Sequence, residues 1–115
     1  MKKRAYISGP ITHHRGLDPF EPATKALEAL GYSVLNPKMI PKCPDESCVK
    51  LPHEIEWGWA HSWACCLKYD LAQMLLVCDA IVMLDGWQDS HGARLEMSTA
   101  AAVGMTVLFA RDLDI

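Results

Sequence analysis

Glu96 is the side chain of this sequence that its surroundings explain least. In "GWQDSHGARLEMSTAAAVGMTVLF", residues 86–109, it is followed by Met97, Ser98, Thr99, three alanines, Val103 and Gly104. A helix that packs through alanines ordinarily keeps acids off that side, because burying a carboxylate is costly unless it is paired. Six residues earlier, Ser90-His91-Gly92 offers a hydroxyl and backbone amides at the start of the same helix. Such an N-terminus can hold a phosphate or another anion. Ser90 would equally serve as a plain N-cap.

A second carboxylate, Asp70, belongs to the same end of the molecule on a geometric count. A five-residue strand covers about 17 Å, at about 3.3 Å per residue. A helix returning beside it, at about 1.5 Å per residue, needs about eleven residues. Counting back from Val77–Asp79 sets Asp70 near the rim toward which Glu96, in the second turn of its helix, leans. Two carboxylates at an anion-friendly rim suit glycosyl chemistry, in which one attacks or stabilises the sugar cation and the other manages protons. The plainer alternative makes Asp70 a helix cap and Glu96 a buried, paired acid.

The elements that must carry these residues are readable from the apolar pattern. "RAYISG" (4–9) is a short buried strand ended by Gly-Pro. "DPFEPATKALEALG" opens a helix with Asp18 as N-cap and Pro19 at its first position; Ala26, Leu27 and Leu30 form its apolar stripe. "YSVLNP" (32–37) is a second strand, and residues 38–52, with three prolines and two cysteines, form an irregular loop. His53 to about Val77 is helical with a break, "AIVMLDG" (80–86) is a third strand, a helix spans about Ser90–Val103, and "MTVLF" (105–109) is a fourth strand. The order β-α-β-α-β-α-β with near-continuous apolar strands predicts one α/β domain over residues 1–115. Its parallel sheet is covered on both faces. Right-handed crossovers give a flavodoxin-like (Rossmann-like) order 2-1-3-4, which a fifth strand would extend. Ser8, Asp85 and Ser90 then share one edge, and "SGPITHHRG" and "DGWQDSHG" flank the switch-point crevice.

Composition narrows the ligand. The chain has 115 residues, half of them hydrophobic, and a net charge of −3. Its Lys and Arg are scattered, so no basic face for duplex nucleic acid is expected. No run is long enough for a signal peptide or a membrane span, which makes the cytoplasm the expected compartment. Glycines in G-x-G-x-x-G order, a Walker lysine and the paired acids of a receiver domain are all missing from the crevice loops. The five cysteines, an odd number with Cys65 and Cys66 adjacent, read as reduced thiols rather than a disulfide framework. Cys43 and Cys48 in "CPDESC" lie at the edge of zinc-ligand spacing, and no second Cys or His pair at finger spacing is apparent after them. No metal and no cofactor is expected, and the histidines of "HEIEWGWAH", like His13 and His14, are read as surface or capping residues.

Three segments carry a resemblance. "YISGP", "YDLAQMLLVCDAIVMLDGW" and "DSHGARLEMSTAAAVGMTV" resemble, in that order, the nucleoside 2-deoxyribosyltransferase superfamily, which includes deoxyribonucleoside 5′-monophosphate N-glycosidases. The resemblance covers nearly the whole chain except residues 38–66 and the tail. It implies that Glu96 is the nucleophile attacking C1′ of the sugar, that Asp70 is the acid assisting departure of the base, and that Tyr6 contacts the nucleophile. Ser8 and Gly9 match the loop lining the sugar or phosphate, and Ser90, with Gly92 beside it, matches the phosphate-binding serine of the monophosphate hydrolases. Transferases acting on uncharged nucleosides tend to carry Asp there, which would repel a phosphate.

The implied activity is cleavage of the N-glycosidic bond of a nucleotide or nucleoside, by hydrolysis or by transfer to another base. An idle nucleotide-binding module of the same fold is the alternative. The sequence departs from the family in reading "EMS" where E-L-G is usual, and no segment for a fifth strand is found after "MTVLF". A phosphate-binding arginine belongs near His13, His14 and Arg15. Trp57, Trp59 and Trp63 are core or subunit interface. Because sites of this family are often completed across oligomers, a homo-oligomer, dimer or tetramer, is expected.

Overall fold

In the computed structural model, which describes residues 2–10 and 18–115, four parallel strands stand in the order β2-β1-β3-β4. They are β1 (Arg4–Ser8), β2 (Ser33–Leu35), β3 (Ala80–Met83) and β4 (Thr106–Phe109). The helices between them are α1 (Phe20–Ala29), a short α2 (Pro52–Glu56), α3 (Trp63–Val77) and α4 (His91–Ala102). This is the α/β, flavodoxin-like arrangement that the alternation of apolar runs predicts. After β4 the chain turns into a 3₁₀ segment at Ala110–Leu113, and the described residues form four strands. No helix among them is long and apolar enough to cross a membrane.

The two faces of the sheet follow from the period-2 alternation of strand side chains. Ala5 and Ile7 of β1 and Val82 of β3 join Phe20, Ala23 and Leu27 of α1 in one buried cluster. Tyr6, Ile81 and Met83 point the other way and pack with Met74 of α3 and Ala93 and Ala100 of α4. Ser8, two residues beyond Tyr6, shares its parity and so belongs to the α3–α4 side. Parallel register sets Ser8 opposite Met83, and the Leu84 N–H donates to the Ser8 carbonyl at 2.8 Å. The strand ends β1 and β3 therefore meet at one rim, with Asp85 and Ser90 following there.

Local details correct the expectations for α1. Its buried residues are Phe20, Ala23 and Leu27. Ala26 is half-buried, and Leu30 is 58 % exposed, because the helix ends at Ala29 and Leu30 has passed the sheet. Asp18 accepts a hydrogen bond from the Phe20 N–H at 2.9 Å, as a residue opening a helix does. Gly9 is required by close packing: a Cβ there would meet Leu84 Cβ at 2.9 Å. His13, His14 and Arg15 lie outside the described residues.

Candidate functional site

At the carboxyl ends of β1 and β3 a cavity of about 410 Å³ opens between α3, α4 and the segment that precedes α3. That volume is in the range of pockets that hold small molecules. Five of the residues singled out in the sequence line it: Gly9, Asp70, Ser90, Gly92 and Glu96. The other four converge beside Glu96, whose side of α4 faces this cavity at the rim.

Glu96 is buried, with 7 % of its surface exposed, and both of its oxygens are held. The Tyr6 hydroxyl donates to Oε2 at 2.5 Å, and the Ser8 hydroxyl donates to Oε1 at 2.6 Å. Tyr6 and Ser8 are themselves fully buried, so they grip the carboxylate from the sheet side and leave it at the cavity wall. Ser8 thus takes a different post from its neighbour: Gly9 lines the cavity, whereas the Ser8 side chain is committed to Glu96. Burial pushes the Glu96 carboxyl up to about 7, against the opposing pull of the Ser8 and Tyr6 hydroxyls. Burial, and next to it the Glu96 charge, also raises the Tyr6 phenol. It remains a protonated donor over the whole working range of pH.

Asp70, on α3, is buried as well. Its carboxylate forms an ion pair with the Lys42 ammonium, which also donates to the Pro37 carbonyl at 3.2 Å. Burial raises the Asp70 carboxyl, and Lys42 opposes that rise. No sequence signal marks Lys42. It sits in an irregular stretch with no periodicity, and only the folded path of that stretch brings it to Asp70. The result is one carboxylate held by neutral donors and a second held by a cation in the same cavity. An acid–base pair of that kind can keep one group ionised while the other carries a proton.

Ser90 is the N-cap of α4, its hydroxyl accepting from the Ala93 N–H at 3.2 Å. Both readings of Ser90 are therefore compatible with its position, since a capping hydroxyl at the cavity wall keeps its own proton to donate. The His91 and Gly92 amides precede the first intrahelical bond, from the Arg94 N–H to the Ser90 carbonyl at 3.0 Å. They sit at the helix end where donors face outward.

The remaining wall comes from residues 59–67, including Trp59, His61 and Trp63. Trp63 packs on His91 with ring centroids 5.3 Å apart, so this aromatic closes the cavity against α4. Trp57 is 64 % exposed and meets the His53 ring edge-on and the Trp59 ring at a tilt. Glu54 anchors the segment: its two oxygens accept from the Leu51 N–H at 2.6 Å and the Trp63 N–H at 2.7 Å. Those two amides hold its carboxyl below the usual range.

Against the expectation of surface or capping histidines, the His61 ring lies beside three cysteine sulfurs, those of Cys43, Cys48 and Cys65. The signal was present in the sequence as His61-x₃-Cys65. A mixed His/Cys pair is a weaker mark than two cysteines, and nothing in the sequence joins it to Cys43 and Cys48. All five cysteines are free thiols, with Cys65 and Cys78 buried.

A family model described as "Domain of unknown function (DUF4406)" matches residues 3–109. No curated protein and no solved structure matches the chain.

Proposed function

Since the chain belongs to the DUF4406 family, whose description assigns no activity, we propose from the site itself that it cleaves the N-glycosidic bond of a nucleoside 5′-monophosphate or nucleoside. The observation that carries this reading is the buried Glu96 carboxylate, oriented through both oxygens by Tyr6 and Ser8 at the wall of a cavity shared with Asp70. A purely structural acid has no need of a cavity on its open side.

In the proposed reaction a Glu96 oxygen attacks C1′ of the sugar. The C1′–N bond breaks, and its electron pair goes to the departing base together with a proton from the Asp70–Lys42 pair. A glycosyl ester on Glu96 results. Water, or the nitrogen of a second base, then adds at C1′ and returns a proton to the pair, and Glu96 leaves as a carboxylate. Ser90, Gly92 and Gly9 would face the 5′-phosphate, where the hydroxyl, the amides and the α4 dipole all favour negative charge. The chemistry as written uses no cofactor. Trp57 and the outward face of α3, where Tyr69, Leu75 and Leu76 are exposed, supply apolar surface for a homo-oligomer. Light scattering at micromolar concentration is expected to give a dimer or larger; a monomer would remove assembly from the account.

A second reading, an idle nucleotide-binding module, draws on one feature: both Glu96 oxygens are already engaged by hydroxyls. Chromatographic detection of free base after incubation with a deoxynucleotide panel tests the enzyme reading. Base released from at least one member supports it. Thermal stabilisation by a nucleotide without release of base favours the module.

A further inference from the structure

The segment from Ile40 to Ser62 is the least self-sufficient part of the chain. Its only helix, α2, has five residues, and Val49, Leu51 and Ile55 are 91 %, 57 % and 65 % exposed. It nonetheless supplies Lys42 to Asp70 and several wall residues to the cavity. Something other than an apolar core must hold it in place.

We propose that Cys43, Cys48, His61 and Cys65 form a tetrahedral zinc site that pins this segment over the cavity. The Sγ atoms of the three cysteines lie 3.1, 3.8 and 3.9 Å from His61 Nδ1, and all four ligand atoms are within 4.8 Å of one another. With Zn–S of about 2.3 Å and Zn–N of about 2.0–2.1 Å, tetrahedral geometry separates neighbouring ligand atoms by about 3.5–3.8 Å. The three imidazole–sulfur distances straddle that spacing, and the 4.8 Å limit on the set leaves no pair more than about 1 Å beyond it.

The donor set has the chemistry as well. Three thiolates and one imidazole match zinc among the divalent ions, because soft sulfur selects against magnesium and calcium. The spacing is C-x₄-C, twelve residues, then H-x₃-C, two close pairs joined by a loop. Binding would release three thiol protons to solvent, leave His61 neutral and give the centre a single negative charge. That charge sits at the start of α3, where Ser62 is the N-cap and Cys65 lies in the first turn, so the helix dipole favours it. The Ser62 N–H already donates to Cys48 Sγ at 3.3 Å, the kind of outer bond that steadies a metal ligand.

The site is structural, since four protein ligands leave no open position. Its consequence for the cavity is direct. Cys43 follows Lys42, and His61 and Cys65 bracket Trp63, so the ion would fix both the cation facing Asp70 and the aromatic wall. The glycosidase reading can fail without affecting this site, because the site is read by metal content alone.

The test uses untagged full-length protein purified under reducing conditions. Elemental analysis is expected to give one zinc per chain. Replacement by Co²⁺ should produce intense visible d–d bands and a thiolate-to-cobalt charge-transfer band, the signature of a tetrahedral sulfur-rich centre. Cys48→Ser should lose the zinc, and Cys78→Ser, outside the cluster, should keep it. Should Cys48→Ser fail to fold, thiol alkylation of the native protein decides: zinc should shield the partly exposed Cys43 and Cys48, but not the likewise partly exposed Cys66, until a chelator is added, when tryptophan emission should also shift. Absence of zinc after growth in zinc-supplemented medium would overturn the proposal. So would a Cys43–Cys48 disulfide in the reduced preparation, or Cys43 and Cys48 thiols that react as fast before chelation as after it.

Discussion

The Tyr6 hydroxyl sits 2.5 Å from Glu96 Oε2, joining the first strand to the last helix across 90 residues of sequence. Because the phenol stays protonated, the bond favours the ionised carboxylate and offsets part of its burial. Tyr6→Phe removes it. A hydrogen bond to a charged group contributes about 1.5–3 kcal/mol, and one pH unit corresponds to about 1.4 kcal/mol. The ascending limb of the pH–kcat/KM profile, expected near 7 in the wild type from the raised Glu96 carboxyl, should therefore move up by about one to two units. Activity should largely recover at high pH. A merely structural Tyr6 would alter the melting temperature and leave the limb in place.

Lys42 and Asp70 form a buried pair with side chains 14 % and 5 % exposed. Removing one partner strands the other, which costs about 3–5 kcal/mol in such settings. Urea denaturation should show Asp70→Asn and Lys42→Met each destabilised, and the double variant less so than their sum. Base release should behave differently, because the double variant regains stability but still has no proton to give. Asp70→Asn should slow release least for the most easily protonated base. Full turnover in the double variant would detach the pair from the chemistry.

How much of this could be read from the sequence depends on the kind of signal. The four strands and their order were legible because each is a short apolar run in a repeating β-α alternation. The meeting of Asp70 and Glu96 at one rim followed from helix and strand rise for Asp70 and from the N-terminal tilt of helical side chains for Glu96. Ser8-Gly9 and Ser90–Gly92 were legible as polar, glycine-containing turns at the crevice, and Tyr6 only through the family resemblance; the structure brings all five together, with Ser8 turned to Glu96 rather than to the cavity. Leu30 misled because its hydrophobicity extended a stripe beyond the point where the helix stops. Lys42 and the cysteine cluster stayed hidden because residues 38–62 have no period. Their contacts depend on a loop path that only side-chain chemistry could specify.

Ser90 gives a clean substitution, because Asp caps a helix as well as Ser and suits the positive end of its dipole. Ser90→Asp should leave the melting temperature nearly unchanged. It should weaken binding of a nucleoside monophosphate by tenfold or more, on the order of 1.4 kcal/mol, through repulsion between like charges. The uncharged nucleoside should bind almost as before. Equal losses for both in calorimetry would count against a phosphate at this helix end.

Glu96→Gln keeps the shape of the side chain and removes its negative charge. Folding of the variant can be verified first. A carboxyl raised from 4.5 to about 7 binds more protons folded than unfolded, so the wild type loses stability as pH climbs between those values. Gln has no such titration, and the melting temperature of the variant relative to wild type should improve across that window. With folding secured, the decisive measurement is release of free base from a deoxynucleoside 5′-monophosphate at pH 8 by wild type and Glu96→Gln, read by chromatography. The wild type should release base measurably, and the variant should be slower by several orders of magnitude. Release by a folded Glu96→Gln at the wild-type rate would contradict a nucleophilic Glu96.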